Sequence, residues 1–284
     1  MGRGDYMKRL DVMLTQTEKA DAERDAKVFK SDVLLQKARY SLSVKEQRFL
    51  LYVISKIEPD HDVTHLYDIN LGDFQRVCGT EGFESFEKIK RWIKELADKS
   101  WYIKLDGKNE SLIRWLNDVE ILRDANMIRI SFTAKMFPYL FKLAESMRES
   151  GQFYTGYALR NVLPMRSTYS IRLYELLKAY QKNNRKWWFA LDELRFLLDC
   201  EKYQRYPDFR RYVLEPAERE INLYTDIKVK SSTVNQGRKV VAIEFTMLNK
   251  TYRELVQANH DGLTEIEGAV HYWDINQTSA ENDG

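Results

Sequence analysis

Between positions 206 and 224 the chain repeats apolar residues at a spacing that is typical of a helix with one buried face. The apolar positions recur every four residues from Phe209 to Ile221, and this period places them on one side of a helix. Pro207 and Asp208 come just before, as expected where a helix begins, because the first turn tolerates proline and favours an acid. The pattern therefore predicts a helix that packs one stripe against a core.

Arginines crowd at the beginning of this predicted helix. Arg205, Arg210 and Arg211 lie within seven positions, and at about 100° per residue Arg211 is roughly 200° around the helix from Phe209. A short helix that buries one stripe and presents arginines from its first turns is typical of proteins that contact the major groove of DNA. A solvated helix face is the alternative interpretation of such a cluster.

The same order of predicted elements occurs twice along the chain: a helix, a short strand, a brief helix, a longer helix and a hairpin. The first copy comprises 43–57, 66–69, 71–78, 84–99 with Phe86, Ile89, Ile93 and Leu96 inward, and one small sheet of strands 101–105, 111–122 and 127–132 with a turn at 106–109. The second comprises 167–180, 187–190, 191–200, 206–224 and a hairpin of strands 227–230 and 241–245. Cys78 matches Cys200 and Ile103 matches Ile227, at separations of 122 and 124 positions. This order is that of a helix-turn-helix with a β wing. We therefore predict an α+β fold of two tandem winged-helix domains related by an internal repeat.

The composition divides the chain into four predicted segments. Residues 1–30 are polar, mixed in charge and without apolar periodicity, so we expect a flexible N-terminal segment. The first winged-helix domain is assigned to 31–150 and the second to 151–250. Residues 251–284 turn acidic and lose the apolar pattern, which predicts a disordered tail.

Charge is unevenly distributed along the chain. The net charge is +2 overall, but residues 155–250 contain 18 basic and 11 acidic side chains, a local net charge of +7. Residues 251–284 contain 1 basic and 7 acidic side chains and mask this excess. A localised positive charge favours a polyanionic partner such as double-stranded DNA. With no membrane-length apolar run, no secretion signal and two cysteines, the sequence predicts a cytoplasmic protein.

Motifs that would indicate catalysis or cofactor binding are missing from the sequence. No GxxxxGK[ST] or GxGxxG loop supports nucleotide binding, and no GxSxG motif supports a hydrolase. His61 and His65 are four positions apart but lie in a polar loop without a helical metal motif. Cys78 and Cys200 have apolar neighbours and are interpreted as core residues. We therefore expect neither enzymatic activity nor a bound metal or other cofactor.

Several stretches of the sequence resemble a known family. They are Ser31–Leu34, Ala38–Ser43 with Glu46–Arg48, Tyr174–Leu177 and, most specifically, Tyr203–Arg211 followed by Glu220–Asn222. They are similar to the replication initiator proteins of iteron-containing, theta-replicating bacterial plasmids. The resemblance covers roughly residues 30–250, so the roles of both ends of the chain stay open.

The resemblance implies two winged-helix domains that clamp a repeated DNA site. Monomers of this family bind the iterons at the origin and start replication, dimers repress their own promoter, and host initiator and helicase proteins are further partners. The candidate DNA-binding residues are Arg205, Arg210, Arg211 and Lys202 at the second reading helix, Lys230, Arg238 and Lys239 on the second wing, and Lys88, Lys90, Arg91 and Lys94 on the first domain's helix. The first domain's helix matches the family less closely, so its residues are assigned to phosphate contacts alone.

Three other functions are compatible with the sequence. A winged-helix transcriptional regulator without initiation activity would share the fold, and a plasmid-maintenance test would separate it from an initiator. A nicking nuclease would form a covalent adduct with supercoiled origin DNA, although the histidine pair of relaxase-type enzymes is missing. A protein-interaction scaffold would show no salt-sensitive DNA binding.

Overall fold

The chain forms two winged-helix units, which are contacted by a segment that precedes the first unit and by a helix that follows the second. A computed structural model describes residues 15–82, 84–104, 109–182 and 184–280, and the side chains of all of these except 104 and 269–280. Within these ranges none of the helices combines the length and the apolar character that crossing a membrane requires.

The first unit follows two short elements at the N-terminal end. The elements in chain order are α1 (Gln16–Asp25), β1 (Lys27–Ser31), α2 (Asp32–Lys37), β2 (Ala38–Arg39), α3 (Val44–Ile54), β3 (Tyr67–Asn70), α4 (Leu71–Cys78), α5 (Phe86–Asp98), β4 (Ser100–Lys104), β5 (Glu110–Arg114), β6 (Leu116–Leu122) and β7 (Met127–Phe132). The helices α3, α4 and α5 are those of the winged helix. The inward side of α5 is buried at Ile89, Ile93 and Leu96, as the sequence predicts.

Local sequence signals determine the ends of α3 and α4. Ser43 and Glu46 form a capping box, in which the backbone N–H of Ser43 donates to the Glu46 carboxylate at 2.7 Å. Gly79 ends α4 with a φ of 62°, in the left-handed region that glycine enters without a Cβ penalty. The chain then turns into α5, which completes the helix-turn-helix.

The strands of the first unit form two separate sheets, whereas the sequence suggests one small sheet. In one sheet β4 lies between β2 and β5, and in the other β7 lies between β3 and β6. Trp115 separates β5 from β6 and is buried with 1% of its surface exposed, so the chain breaks its pairing where this side chain enters the core. The turn predicted at 106–109 lies outside the described residues except for Asn109.

The second unit repeats the order helix, strand, helix, helix and hairpin. The remaining elements are α6 (Phe137–Leu140), α7 (Leu143–Ser150), β8 (Tyr154–Ala158), α8 (Thr168–Gln181), β9 (Lys186–Ala190), α9 (Leu191–Leu197), α10 (Tyr206–Phe209), the π-helical turn Arg210–Leu214, α11 (Glu215–Tyr224), β10 (Ile227–Gln236), β11 (Lys239–Asn249) and α12 (Tyr252–Ala280). In its sheet β11 lies between β10 and β9, and the β10–β11 hairpin is the wing. The predicted tandem winged-helix fold is therefore confirmed.

The second wing is longer than the sequence indicates. Strands are predicted at 227–230 and 241–245, but the hairpin pairs from Ile227 opposite Asn249 to a final pair at its tip. The outer half of β10 is polar and mostly exposed. Because its residues are polar and mostly exposed, this half of the ribbon carries no apolar alternation from which a strand could be predicted.

The two units are connected by a small sheet and by side chains of opposite charge. β1 pairs antiparallel with β8, which precedes the second unit. Nζ of Lys30 lies 2.7 Å from Oε1 of Glu175 on α8, and a guanidinium nitrogen of Arg39 lies 2.8 Å from Oδ1 of Asp199. The N-terminal elements therefore contact the second unit as well as the first.

Residues 1–30 are predicted to be a flexible segment, and in the part of it that the structure describes the chain forms α1 and most of β1. The inward positions of β1 are Val28 and Lys30, which are 0% and 3% exposed, whereas Phe29 is 43% exposed. A lysine on the buried side and a phenylalanine on the exposed side invert the alternation expected of a half-buried strand. Residues 1–14 lie outside the described residues.

Residues 251–284 are predicted to be a disordered tail, and most of the described part of this segment forms α12. Ala258, Gly262 and Ile266 are its buried side. Their spacing of four places them on one helical face, but two of the three are small, so the hydropathy of the segment does not show a packed face. Residues 281–284 lie outside the described residues.

Candidate nucleic-acid interface

The helix with the arginine cluster buries the stripe predicted for it. Phe209, Val213, Ala217 and Ile221 are each 0% exposed. The helical stretch is continuous from α10 through the π-helical turn to the end of α11, and we call it the reading helix of the second unit. Because these four residues face the core, the opposite side of the reading helix faces solvent.

The three predicted arginines are exposed around the beginning of the reading helix. Nε of Arg210 lies 2.7 Å from Oε1 of Glu215, and the two side chains are 60% and 56% exposed. Arg205 is 80% exposed, with its Nε 3.9 Å from Oδ2 of Asp208. Ion pairs as exposed as these contribute about 0–1 kcal/mol. The guanidinium groups of Arg205 and Arg210 can therefore exchange a carboxylate for a phosphate or a base edge at little cost, and the Arg211 side chain is exposed next to Arg210.

A π-helical turn widens the reading helix directly before Pro216. The backbone N–H of Glu215 donates to the carbonyl of Arg210, five residues earlier. Pro216 has no N–H to donate, and its ring crowds the preceding turn of a regular helix. An additional residue in that turn accommodates the proline without ending the helix. As a result Arg210 and Arg211 project from the widened turn.

Stacked tyrosines connect Lys202 to Arg211. The rings of Tyr203 and Tyr212 stack with their centroids 5.6 Å apart. Nζ of Lys202 is 5.2 Å from the Tyr203 centroid, and Cζ of Arg211 is 5.4 Å from the Tyr212 centroid. The neighbouring Tyr169 and Tyr203 raise the pKa of Lys202. Lys202 therefore stays charged at neutral pH beside an aromatic surface.

A groove of about 620 Å³ lies between the reading helix and the wing. Arg210, Arg219 and Lys230 line it, and Arg238 and Lys239 are exposed at the tip of the same wing. Arg219 is not among the residues predicted from the sequence. A basic residue on the polar side of the reading helix is the signal that identifies it. Of the predicted residues, Arg210 and Lys230 line this groove, together with Glu215 and Glu218. The other predicted arginines and wing residues are exposed on the two elements that form it, and we call this region of the second unit the basic cleft.

Side-chain hydrogen bonds hold the wing against α11. The carboxylate of Glu218 accepts from Oγ of Ser231 at 2.6 Å and from its backbone N–H at 3.2 Å. Asn222 accepts from the N–H of Val229 at 2.7 Å and donates to its carbonyl at 2.8 Å. Lys230 lies between these two anchored residues, so its position relative to the reading helix is fixed.

The corresponding helix of the first unit, α5, carries a weaker basic surface. Lys88, Arg91 and Lys94 are exposed and recur every three residues. Lys90 is half-buried, with its Nζ 3.5 Å from a carboxylate oxygen of Glu87. Three of the four predicted residues therefore face solvent, and the fourth is partly neutralised by its neighbour.

Among the described residues, two buried cysteines and a loop with a histidine are candidates for nucleophilic or metal-binding chemistry. Burial raises the pKa of the Cys78 and Cys200 thiols to about 12, so both are protonated at neutral pH, in agreement with core positions. Glu58, Asp60 and His61 lie close enough together to surround a cation. Nδ1 of His61 already accepts the backbone N–H of Glu58 at 3.1 Å, so that nitrogen is engaged within the loop.

The fold and the exposed basic helices define a tandem winged-helix protein. The family model described as Initiator Replication protein, WH1, matches residues 27–178, and that described as Initiator Rep protein, WH2, matches residues 190–247. The chain therefore belongs to the initiator replication protein family, as its sequence motifs indicate. The first family model extends through most of α8, which the sequence-based division assigns to the second domain.

Individual proteins with similar sequence or structure agree with this membership. An uncharacterised 27.6 kDa protein of Escherichia coli is 26% identical over 225 residues, which are 74% of this chain and 90% of that protein. The PI protein of Escherichia coli is 27% identical over 150 residues, about half of each chain (48% and 47%). The crystal structure of the Pi initiator protein in complex with iteron DNA has a similar fold, with a TM-score of 0.65, 20% identity and coverage of 80% of this chain and 98% of that one.

Proposed function

We propose that this chain is a replication initiator that binds tandem repeats of origin DNA, or iterons, as a monomer. The observation that carries the proposal is the basic cleft of the second unit, in which Arg205, Arg210 and Arg211 are exposed beside a wing that is anchored to the same helix. The similarity in fold to the Pi initiator protein, whose crystal structure contains iteron DNA, supports the same mode of binding.

In this mode the first turns of the reading helix enter the major groove. Arg210 and Arg211 contact base edges there, and a bidentate arginine–guanine contact is worth about 1–3 kcal/mol of discrimination. Arg205 and Lys202 lie at the edge of the groove and contact phosphates. In free protein the Arg210 guanidinium contacts Glu215 at 2.7 Å, and because this pair is exposed the guanidinium is released at little cost when it meets DNA.

The wing and the first unit add contacts that do not depend on sequence. Lys230, Arg238 and Lys239 follow the phosphate backbone beside the major groove, and Lys88 and Lys94 on α5 do the same at the next groove. Each lysine or arginine that neutralises a phosphate releases counterions, so these contacts provide affinity and salt dependence. With one unit for each groove turn, a repeat spans about two turns of 10–10.5 base pairs.

We further propose that dimers of the chain repress its own promoter, and that host initiator and helicase proteins join the monomer at the origin. The chain acts in this scheme by binding rather than by catalysis. These activities belong to the bacterial cytoplasm, where a plasmid origin resides. A transcriptional regulator with the same fold would bind the same DNA but would not support replication.

The test begins with selection of randomised duplexes by the full chain. We expect a motif that occurs in tandem copies of about twenty base pairs beside the reading frame, protected from nuclease by the full chain. A plasmid that carries those repeats should be maintained when the chain is supplied and lost without it. Repeats that are bound but do not support maintenance would identify a regulator, and binding that salt does not weaken would contradict the proposal.

A further inference from the structure

Two segments outside the residues matched by the family models pack on the turn that follows α4. Nε of Arg24 in α1 donates to the carbonyl of Val77 at 3.0 Å, and its Nη2 donates to the carbonyl of Arg76 at 2.9 Å. These carbonyls belong to the last turn of α4, where backbone carbonyls have no N–H donor from a following helical turn. Arg24 is 5% exposed, so a buried guanidinium from the N-terminal segment caps a helix of the first helix-turn-helix.

The other segment is α12, which touches the same turn. Ile266 is 4% exposed. A Cβ placed on Gly79 would lie 2.4 Å from Cγ2 of Ile266 and 2.5 Å from its carbonyl oxygen. The backbone of α12 therefore lies directly against the backbone of the α4–α5 turn. A side chain at position 79 would collide with Ile266, so this contact requires glycine there.

The same helix also contacts the second unit. A Cβ placed on Gly262 of α12 would lie 4.0 Å from a ring carbon of Tyr224 in α11, and burial together with the carboxylate of Glu265 raises the pKa of Tyr224 to about 12. Arg166, from the segment between the units, forms an ion pair with Glu265. At the beginning of α12, Lys228 of the wing donates to Glu254 at 2.7 Å. α12 thus contacts the reading helix and wing of one unit and the helix-turn-helix of the other.

We propose that α1 and residues 252–268 of α12 form a brace that sets the distance and angle between α5 and the reading helix of the second unit. The brace would thereby determine the spacing of the two half-sites that one chain recognises; this role presupposes the DNA binding proposed above. At 10–10.5 base pairs per turn, one inserted base pair rotates the second half-site by about 35° and moves it by about 3.4 Å. If the two units are held rigidly, the second unit cannot contact a half-site that is displaced in this way. If they are joined loosely, it can move with the half-site and still bind.

The variant that opens the brace is Ile266→Lys, because a lysine cannot stay charged and buried against Gly79. Its matched control is Val256→Lys on the same helix, where the native side chain is 50% exposed. Arg24→Met, which removes the α1 contact without adding charge, is the second variant and replaces the first if circular dichroism shows that Ile266→Lys is unfolded.

The first measurement needs no DNA and reports the distance between the units. Spin labels at Glu95→Cys in α5 and Leu223→Cys in α11 occupy exposed positions, while the native thiols are buried. We expect a narrow distance distribution in the parent and in Val256→Lys, and a broad one in Ile266→Lys. A distance distribution that stays narrow and unshifted in Ile266→Lys would overturn the brace, whether or not the chain binds DNA.

The second measurement compares duplexes with the native half-site spacing and with one inserted base pair. We expect the parent and Val256→Lys to bind the altered duplex about tenfold more weakly, and Ile266→Lys to lose less than about threefold. An unchanged spacing preference in Ile266→Lys would contradict the role in specificity. If the parent binds neither duplex, the proposed function fails, and the label distances still decide whether the brace exists.

Discussion

Lys30 and Glu175 form an ion pair in the interior of the protein, with 2.7 Å between Nζ and Oε1 and side chains that are 4% and 1% exposed. The hydroxyl of Tyr40 donates to the same carboxylate at 3.0 Å, and that of Tyr157 also donates to it. Lys30 comes from β1, Tyr40 from the segment before α3, and Glu175 from the second unit. The carboxylate of Glu175 therefore contacts β1, the segment before α3 and β8.

The charges around Glu175 outweigh its burial. Burial alone would raise the pKa of this carboxyl, but the charges of Lys30 and Arg172 and the hydrogen bonds from Lys30 and Tyr157 lower it below the ordinary value. Glu175 is therefore ionised at neutral pH, and its contribution to stability is present above the ordinary carboxyl pKa and is lost as the pH falls through the lower folded-state pKa.

Removing one partner of this pair should destabilise the protein strongly. Glu175→Gln leaves the Lys30 charge buried without a counter-charge, and Lys30→Met leaves the carboxylate without its cation, so we expect each to lower the free energy of unfolding by about 3–5 kcal/mol. Urea denaturation measures this change. The control is Glu244→Gln, which breaks the exposed Lys186–Glu244 pair and should cost less than about 1 kcal/mol. Equal effects of the buried and exposed changes would contradict the structure.

Glu254 at the start of α12 should titrate far below an ordinary carboxyl. Hydrogen bonds from Lys228 and from the backbone and side chain of Thr251 lower its pKa from 4.5 to about 2. Since the folded-state pKa is lower than the unfolded one, this contact stabilises the protein fully above pH 4.5 and is lost between 4.5 and about 2. Carboxyl carbon chemical shifts report the midpoint, which Lys228→Met should raise. A midpoint near 4.5 in the parent protein would show that the contact does not form.

Arg210→Ala and Arg211→Ala should reduce the preference for cognate over random DNA. Each change removes a base contact, so we expect affinity for the cognate repeat to fall by about 1–3 kcal/mol, a factor of roughly 5–150. Fluorescence anisotropy with both DNAs measures the ratio. Arg253→Ala, which removes an exposed charge on α12, is the matched control and should change neither affinity much. Equal losses on cognate and random DNA would show that the two arginines contact phosphates alone.

Binding should weaken steeply as salt increases, and the wing should account for part of the slope. Lys230→Ala and Lys239→Ala should each make the plot of log affinity against log salt shallower by about 1, because each removes one phosphate contact. Lys186→Ala is the control, since Lys186 is paired with Glu244 at 3.1 Å. If the control changes the slope as much as the wing variants, the basic cleft is not the phosphate-binding surface.

The elements of the two units were predictable because their signals are local. The stripe from Phe209 to Ile221, the Ser43–Glu46 capping box and the glycine after α4 each operate within one or two helical turns. The exposure of Arg211 follows from the same periodicity. The same periodicity places Arg219 on the polar side of the reading helix, but the groove that it lines was not predictable in this way, because the groove exists only where the wing lies against α11.

The sequence alone determined the repeated order of helices and strands, the apolar faces and the arginine cluster, since all of these depend on neighbours a few residues away. Tertiary structure decided the burial of Lys30, whose partner is 145 residues distant, and the docking of α12 through Ala258, Gly262 and Ile266. A lysine becomes a core residue, and small residues become a packing face, only when a complementary surface is brought to them. The folded chain supplies that surface from segments far away in sequence.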